Sequence, residues 1–540
     1  MVTVAGYLAD FLRERGVRHV FGLPGGENVP VIEALWRAGI EYVLVHHEAA
    51  AGFAADVTGQ LTDRPGVCMA TVGPGAVNLL ATAAGATLER SPVLAITADI
   101  DAALQSRVTH MKLDLTTLFG AACKASYQLT PATAAADIER AWQLALTPPR
   151  GAVHLAVSPE VAMREVGRNG FSHSTVEAVT TNPEDTAKAV TTNLKSAFRL
   201  LREAERLFIL AGLGVEQAGA QAPLLALAEA WQAPVAVTAK AKGHFPESHP
   251  LFAGCFTAYG DRPLRQALAA ADLVLGVGLD GVDLVTSTWD IDTAVVNLAP
   301  AAADDPVFRP VVAVNGDLRW LLDKLRPQRP ADPRGAIIAA GLRQAIGQAL
   351  TTPTPATVDA IKLHDLIAAL RDALPPEGAV TVDVGAFKLV FLQQWRTDVP
   401  KSLFVANGLS AMGYAIPGAI AIRLAQPERP VVAAIGDGAL LMYTGELATV
   451  ARLGRPLVIL VIVDEALALI RLKQLRQESP VHGTEFGRTD YEALAAAFGL
   501  AYRLIDGGGN AADIFRETLQ LERPVLVEAR INRDEYDHFK

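Results

Sequence analysis

Apolar positions along this chain fall into two alternating patterns. Short unbroken apolar runs that stop at glycine or aspartate read as buried parallel strands. The longer stretches between them carry apolar residues at helical spacing. Over residues 1–165 the pattern predicts helix 5–15, strand 19–22, helix 29–38, strand 42–45, helix 49–61, strand 66–71, helix 77–88 and strand 93–97. The alternation returns over 187–327, with strands at 207–210 and 273–277. It returns again over 358–540, with helix 363–373, strand 379–382 and a last strand at 524–529. Strand alternating with helix implies α/β architecture with doubly wound parallel sheets. Residues 166–186 and 328–357 lose the periodicity and read as linkers, the second with room for one helix, so three such domains are expected.

The stretch from Pro430 to Asp464 carries the most chemistry. An apolar run, 431–435, stops at Gly436, and Asp437 stands between Gly436 and Gly438. A helix is predicted over 440–453, and a second apolar run, 457–463, ends at Asp464. This βαβ unit puts two carboxylates at the carboxyl ends of neighbouring strands, where open α/β sheets bind ligands. Hard carboxylate oxygens suit Mg²⁺, which is often shared with a phosphate. Glycines let backbone approach a diphosphate closely, and the helix start behind them offers free N–H groups.

Composition narrows the function classes. Half of the 540 residues are hydrophobic and a fifth are charged, which permits large cores. A net charge of −10 argues against a nucleic-acid partner. No apolar run approaches the roughly 20 residues a membrane span needs, and the first residues lack the pattern of a signal peptide, so a cytoplasmic location is expected. Cys68, Cys123 and Cys255 lie far apart without metal-ligand spacing and read as reduced thiols.

The Gly436-Asp437-Gly438 unit, with Val463-Asp464 where Asn-Asn is usual, resembles the diphosphate and metal motif of thiamine diphosphate (ThDP) enzymes. Earlier in the chain stand Phe21-Gly22-Leu23-Pro24-Gly25-Gly26, then His46-His47-Glu48, then Gly73-Pro74-Gly75-Ala76-Val77-Asn78. That order resembles the pyrimidine-binding domain of the same enzymes, in the acetolactate synthase, pyruvate oxidase and benzoylformate decarboxylase-like family. The resemblance covers nearly the whole chain. It implies a pyrimidine-binding domain at 1–165, a central α/β domain at 187–327 and a diphosphate- and metal-binding domain at 358–540. It also implies a homodimer or homotetramer whose active sites lie between subunits, with Glu48 and Asp437 of one site coming from different chains.

Site roles follow from the resemblance residue by residue. Glu48 would be the cofactor-activating carboxylate, against the plainer reading of a charge favoured at a helix N-terminus. Asp437, Asp464 and the backbone carbonyl of Ala466 would hold Mg²⁺. Gly385, Gly436, Gly438 and Ala439 would line the diphosphate, and Gly73 and Asn78 the pyrimidine side. Ser410 would offer its backbone carbonyl to the 4′-amino group, and Met412 would support the bent cofactor. His47 and His110 are candidate acid–base groups, and Glu27, Asn28 and Met111 are candidate substrate-side groups. Lys388 is left open between a phosphate contact and the surface. Arg471, Lys473 and Arg476 read as a solvated basic helix face, with an anion-greeting role second.

The implied reaction is decarboxylation of a 2-oxo acid, followed by protonation or carboligation of the enamine. His110-Met111 replaces the Phe-Gln of acetolactate synthases, which points away from true acetolactate synthase activity. The alternatives are a lyase of a 2-hydroxyacyl or oxalyl thioester, or a cofactor-binding homologue without catalysis. The central domain shows Gly212-Leu213-Gly214 after a strand but no complete dinucleotide fingerprint, so FAD is not expected.

Overall fold

The computed structural model describes residues 2–104, 106–167, 183–284, 289–302, 307–327, 334–350, 359–508 and 510–538. Eighteen strands among these form three six-stranded, all-parallel sheets. The first sheet holds β1 (His19–Leu23), β2 (Glu41–Leu44), β3 (Gly66–Ala70), β4 (Val93–Ala98), β5 (Ala125–Gln128) and β6 (Ala152–Val157). The second holds β7 (Leu207–Ala211), β8 (Val235–Thr238), β9 (Phe252–Phe256), β10 (Leu273–Val277), β11 (Val295–Ala299) and β12 (Val312–Asn315). The third holds β13 (Ala379–Val382), β14 (Leu403–Val405), β15 (Val431–Gly436), β16 (Val458–Val463), β17 (Ala501–Ile505) and β18 (Val525–Arg530).

The strand orders expose a relationship that the sequence hides. The first sheet runs β2-β1-β3-β4-β6-β5 and the third runs β14-β13-β15-β16-β18-β17, which is the same winding. The middle sheet runs β12-β11-β10-β7-β8-β9, the order of a dinucleotide-binding fold. Two outer domains of one topology therefore flank a central domain of another. Strands β3, β4, β6, β13, β15, β16 and β18 of the outer sheets are buried along almost their whole length, as helices on both faces require, while the edge strands β2, β5, β14 and β17 are only partly buried.

Seven helices position the candidate residues: α1 (Glu48–Thr62), α2 (Pro74–Leu88), α3 (Ala386–Gln394), α4 (Ala415–Ala425), α5 (Asp437–Met442), α6 (Glu446–Leu453) and α7 (Ala468–Arg476). By strand order, α1 after β2 and α4 after β14 are counterparts. They pack on each other, and Phe53, Val57, Tyr414, Ile416 and Ile420 join one apolar core across the two outer domains. The Phe53 and Tyr414 rings meet edge to face with centroids 5.7 Å apart. Small residues on both helices (Ala50, Ala54, Gly418, Ala419) permit this close approach.

Some expectations change. The predicted helix over 440–453 is broken at Tyr443–Gly445 into α5 and α6. Tyr443 turns its ring onto Phe53 and His47, and a Cβ at Gly445 would lie 2.9 Å from the Cβ of His46. Contact with the first domain, not local propensity, sets that break. The first linker is shorter than expected at its end, because a helix begins at Pro183. Residues 168–182 of that predicted linker lie outside the described residues. The second linker contains helix Arg334–Leu350, while 328–333 and 351–358 lie outside the described residues. Lys388 does not lie on the surface. It is buried, and its Nζ donates to the Ala406 carbonyl at 2.9 Å.

Candidate active site

The third sheet reverses direction of winding between β13 and β15, and that is where the glycines gather. Gly385 follows β13 at the start of α3, Gly436 ends β15, and both back onto the Phe387 ring. Asp437 opens α5 and is 2% exposed. Its Oδ1 accepts the Gly438 N–H at 2.8 Å, and its Oδ2 accepts the N–H groups of Asp464 (3.2 Å) and Glu465 (2.7 Å). Ala439 lies behind it in the same helix and is buried. Asp464, 9% exposed, accepts the Ala466 N–H at 3.1 Å. Glu465 between them holds φ at +58°, a costly left-handed conformation for a non-glycine residue and a common mark of functional turns.

Burial pushes the Asp437 carboxyl up to about 6, against three N–H donors that pull it down. Burial, then repulsion from Asp437, pushes Asp464 up to about 8. Two adjacent carboxylates that resist ionising together form a site that a divalent cation would relieve. A cluster of three or more acidic, His or Cys ligands does not occur among the described residues. Two carboxylates plus a carbonyl suit an ion that completes its shell from phosphate and water.

The first domain gathers a second set beyond the carboxyl ends of β1, β2 and β3. Glu48 begins α1 and is 6% exposed. Asn78 on α2 donates from Nδ2 to Glu48 Oε2 at 3.0 Å. A Cβ at Gly75 would stand 3.1 Å from Glu48 Oε1, so glycine there leaves room for the carboxylate. Glu27 accepts the Thr71 hydroxyl at 2.8 Å, and the Asn28 side chain accepts the Gly25 N–H at 2.9 Å. Met111 packs against Gly73, with its own φ at +57°. Glu27, Asn28, Glu48, Gly73, Asn78 and Met111 thus share one end of the sheet. His47 has a capping role: its Nδ1 accepts the Ala49 N–H at 3.0 Å, and its ring meets Tyr443. His110 lies on an exposed turn.

The segment from Val405 to Gly413 leads from β14 to α4. Ser410 sits at φ +52° and its hydroxyl donates to the Asn407 carbonyl at 3.1 Å. Met412 is half-buried against the shared core. The Asn407 side-chain amide is buried with neither atom hydrogen-bonded among the described residues, an unmet polar demand that a polar ligand would answer. Asp383, at the end of β13, accepts the N–H groups of Val384 (2.8 Å), Gly413 (2.9 Å) and Ala415 (2.9 Å), which fixes the entry to α4. Burial raises its carboxyl to about 6. Asp383, Glu446 and Glu89 belong to no motif in the sequence; their only signal there is a carboxylate beside an apolar run.

In the central domain, the Asp283 carboxylate fills the switch-point crevice. It accepts the Leu213 N–H at 3.2 Å, the Asp280 N–H at 2.9 Å and the Thr238 hydroxyl at 2.6 Å. Gly214 donates to the Gly278 carbonyl at 2.8 Å, so the two loops close on each other. The basic helix α7 has Arg471 3.4 Å from Asp534. No helix among the described residues is long and apolar enough to cross a membrane.

Comparison with known proteins agrees with this architecture. Residues 2–118 match the thiamine pyrophosphate enzyme N-terminal TPP binding domain, 194–325 the central domain and 383–529 the C-terminal TPP binding domain. An acetolactate synthase of Bacillus subtilis is 27% identical over 536 residues, covering 98% of this chain and 93% of its own. That of Arthrospira platensis is 29% identical over 557 residues, covering 99% and 95%. The acetolactate synthase isozyme 2 large subunit of Escherichia coli is 29% identical over 536 residues, covering 98% and 95%. With all three domains matched in order on three parallel sheets, the chain belongs to the thiamine pyrophosphate-dependent enzymes.

Proposed function

We propose that this protein is a ThDP- and Mg²⁺-dependent enzyme that cleaves or forms a carbon–carbon bond beside a carbonyl, with a 2-oxo acid as substrate. The observation that carries this reading is the pair of buried acidic sites: Glu48 held by Asn78, and Asp437 beside Asp464. The residues present fit the cofactor. Asp437, Asp464 and the Ala466 carbonyl would hold the ion, and Gly385, Gly436, Gly438 and Ala439 would border the diphosphate. Bound ThDP would supply a nucleophilic carbon and an electron sink for decarboxylation.

The chain's own groups do the positioning and the proton work. Glu48 would bond one edge of the aminopyrimidine, and the Ser410 carbonyl would accept from its amino group. Asn78 keeps the Glu48 carboxylate in one orientation, and Met412 gives the ring system an apolar rest. Glu27, Asn28 and Met111 line the substrate side, and His47 and His110 are the groups available to move a proton near it.

Each site is completed by a second copy in this reading, as a homodimer or homotetramer. Exposed apolar side chains beside both halves support it: Val77 on α2, and Leu441 and Met442 on α5, the last 62% exposed. A thioester lyase or a flavoenzyme would need a nucleotide seat in the central domain, and Asp283 occupies the N–H group such a seat would use. The test is consumption of 2-oxo acids by the purified protein with and without ThDP and Mg²⁺, for wild type and Glu48→Gln. Turnover that needs both additions and vanishes in Glu48→Gln is expected. Unchanged turnover in Glu48→Gln would refute the mechanism.

A further inference from the structure

The segment from Val405 to Gly408 is gripped by charged side chains that arrive from all three domains. Lys240, of the central domain, lies 3.4 Å from the Val405 carbonyl through its Nζ. Lys388 takes the Ala406 carbonyl. Glu89, at the end of α2 in the first domain, accepts the N–H groups of both Asn407 and Gly408 on Oε1. Its other oxygen receives Lys240 Nζ at 2.7 Å. Both partners of this ion pair are buried, at 2% and 5% side-chain exposure. Burial alone would discharge Lys240, but the Glu89 and Asp56 carboxylates outweigh it and hold its pKa above the usual value. The contact is close: a Cβ at Gly408 would lie 2.6 Å from Leu88 Cβ.

Mechanism as proposed above uses none of these groups, yet they fix the start of the loop that carries Ser410 and Met412. We infer that Glu89 is a positioning residue for the cofactor-facing segment Asn407–Met412. Lys240 compensates its buried charge, so the central domain helps to shape the site. The inference rests on the ThDP reading, because it assigns Glu89 to the loop that would face the aminopyrimidine. One oxygen of Glu89 does the positioning and the other meets Lys240, so the two jobs are separable. A misplacement near 1 Å at a reacting group can slow chemistry about a hundredfold.

The experiment measures deuterium exchange at C2 of bound ThDP, and ThDP affinity at saturating Mg²⁺, in full-length protein. Exchange reads the aminopyrimidine side and needs no substrate. Glu89→Gln with Lys240→Met keeps a loop acceptor and removes both charges; it should exchange within about threefold of wild type. Glu89→Ala with Lys240→Met removes the acceptor; exchange should fall at least tenfold while affinity changes less than threefold. The reversal Glu89→Lys with Lys240→Glu restores an ion pair but not the acceptor, and should stay slow. Wild-type exchange in the Ala/Met pair, or rescue by the reversal, overturns the assignment. Should the Ala/Met pair fail to fold, Glu89→Asp decides. It keeps the charge beside Lys240 and withdraws the oxygen from the loop by one bond, so slow exchange supports the assignment and wild-type exchange overturns it. A wild-type protein that neither binds ThDP nor exchanges overturns the cofactor reading itself.

Discussion

The backbone N–H of His46 donates to the Glu446 carboxylate at 2.9 Å, across 400 residues of sequence. The same oxygen accepts the His47 N–H at 3.1 Å, and the other oxygen takes the Thr449 hydroxyl at 2.8 Å. Glu446 is 1% exposed, and it stands on the helix that follows the Asp437 unit. One buried side chain of the third domain thus fixes the chain entry to Glu48 in the first.

Glu446→Ala should therefore destabilise the protein by about 2–4 kcal/mol, because three donors lose their acceptor in a dry interface. Glu446→Gln retains one acceptor oxygen and should lose less. Denaturant unfolding of both variants checks this, and an Ala variant within 0.5 kcal/mol of wild type (the ordinary scatter of about ±0.5 kcal/mol for surface changes) would contradict it.

Asn78→Ala should leave folding intact and cut turnover about tenfold or more, with substrate KM nearly unchanged. Asn78 supplies the one side-chain donor described for Glu48. Loss of orientation acts on the activated state rather than on substrate binding. Steady-state kinetics decide; a raised KM at unchanged kcat would instead place Asn78 on the substrate.

Asp464→Asn should preserve turnover and flatten the pH dependence of metal binding. In the metal-free protein the folded Asp464 keeps its proton up to about pH 8, far above the unfolded value of 3.8. The folded state then binds more protons than the unfolded one in that window, so stability falls as pH rises through it. Mg²⁺ must displace the proton, so its affinity should climb towards pH 8. The Mg²⁺-induced rise in Tm, measured from pH 6 to 8, should grow in wild type and vary much less in Asp464→Asn. An inactive Asn variant would show that the metal lies elsewhere.

His154 predicts an acid sensitivity unrelated to catalysis. It lies buried between the Ser126 hydroxyl at 2.7 Å and the Thr97 hydroxyl at 2.8 Å, stacked on Phe119. Burial pushes its pKa down to about 3. Between that value and the ordinary 6.5 the unfolded chain binds a proton that the folded one refuses. The stability tied to neutral His154 is complete above pH 6.5 and is lost as pH falls, by up to about 1.4 kcal/mol per pH unit. Unfolding free energies from pH 7 to 4 should fall more steeply in wild type than in His154→Gln; equal slopes would exclude this account.

Apolar runs ending at Gly436-Asp437 and Asp464, and the alternation of strand with helix, were legible because local pattern dictates buried strands and the loops at their ends. Local pattern shows Glu48 only as a carboxylate at a strand-to-helix step; its proposed role comes from the resemblance to ThDP enzymes. What residue order alone could not specify was whatever depends on packing between domains. The break of the 440–453 helix at Tyr443–Gly445 exists because the first domain presses there. The burial of Lys388, the closure of the central crevice by Asp283, and the grip of Glu446 and Glu89 on distant backbone arise likewise. A charged side chain looks the same in sequence whether it meets water or a buried N–H, and that difference is made only on folding; residue order dictates the elements and the motif at their tips, and tertiary contact dictates which carboxylates hold that motif in place.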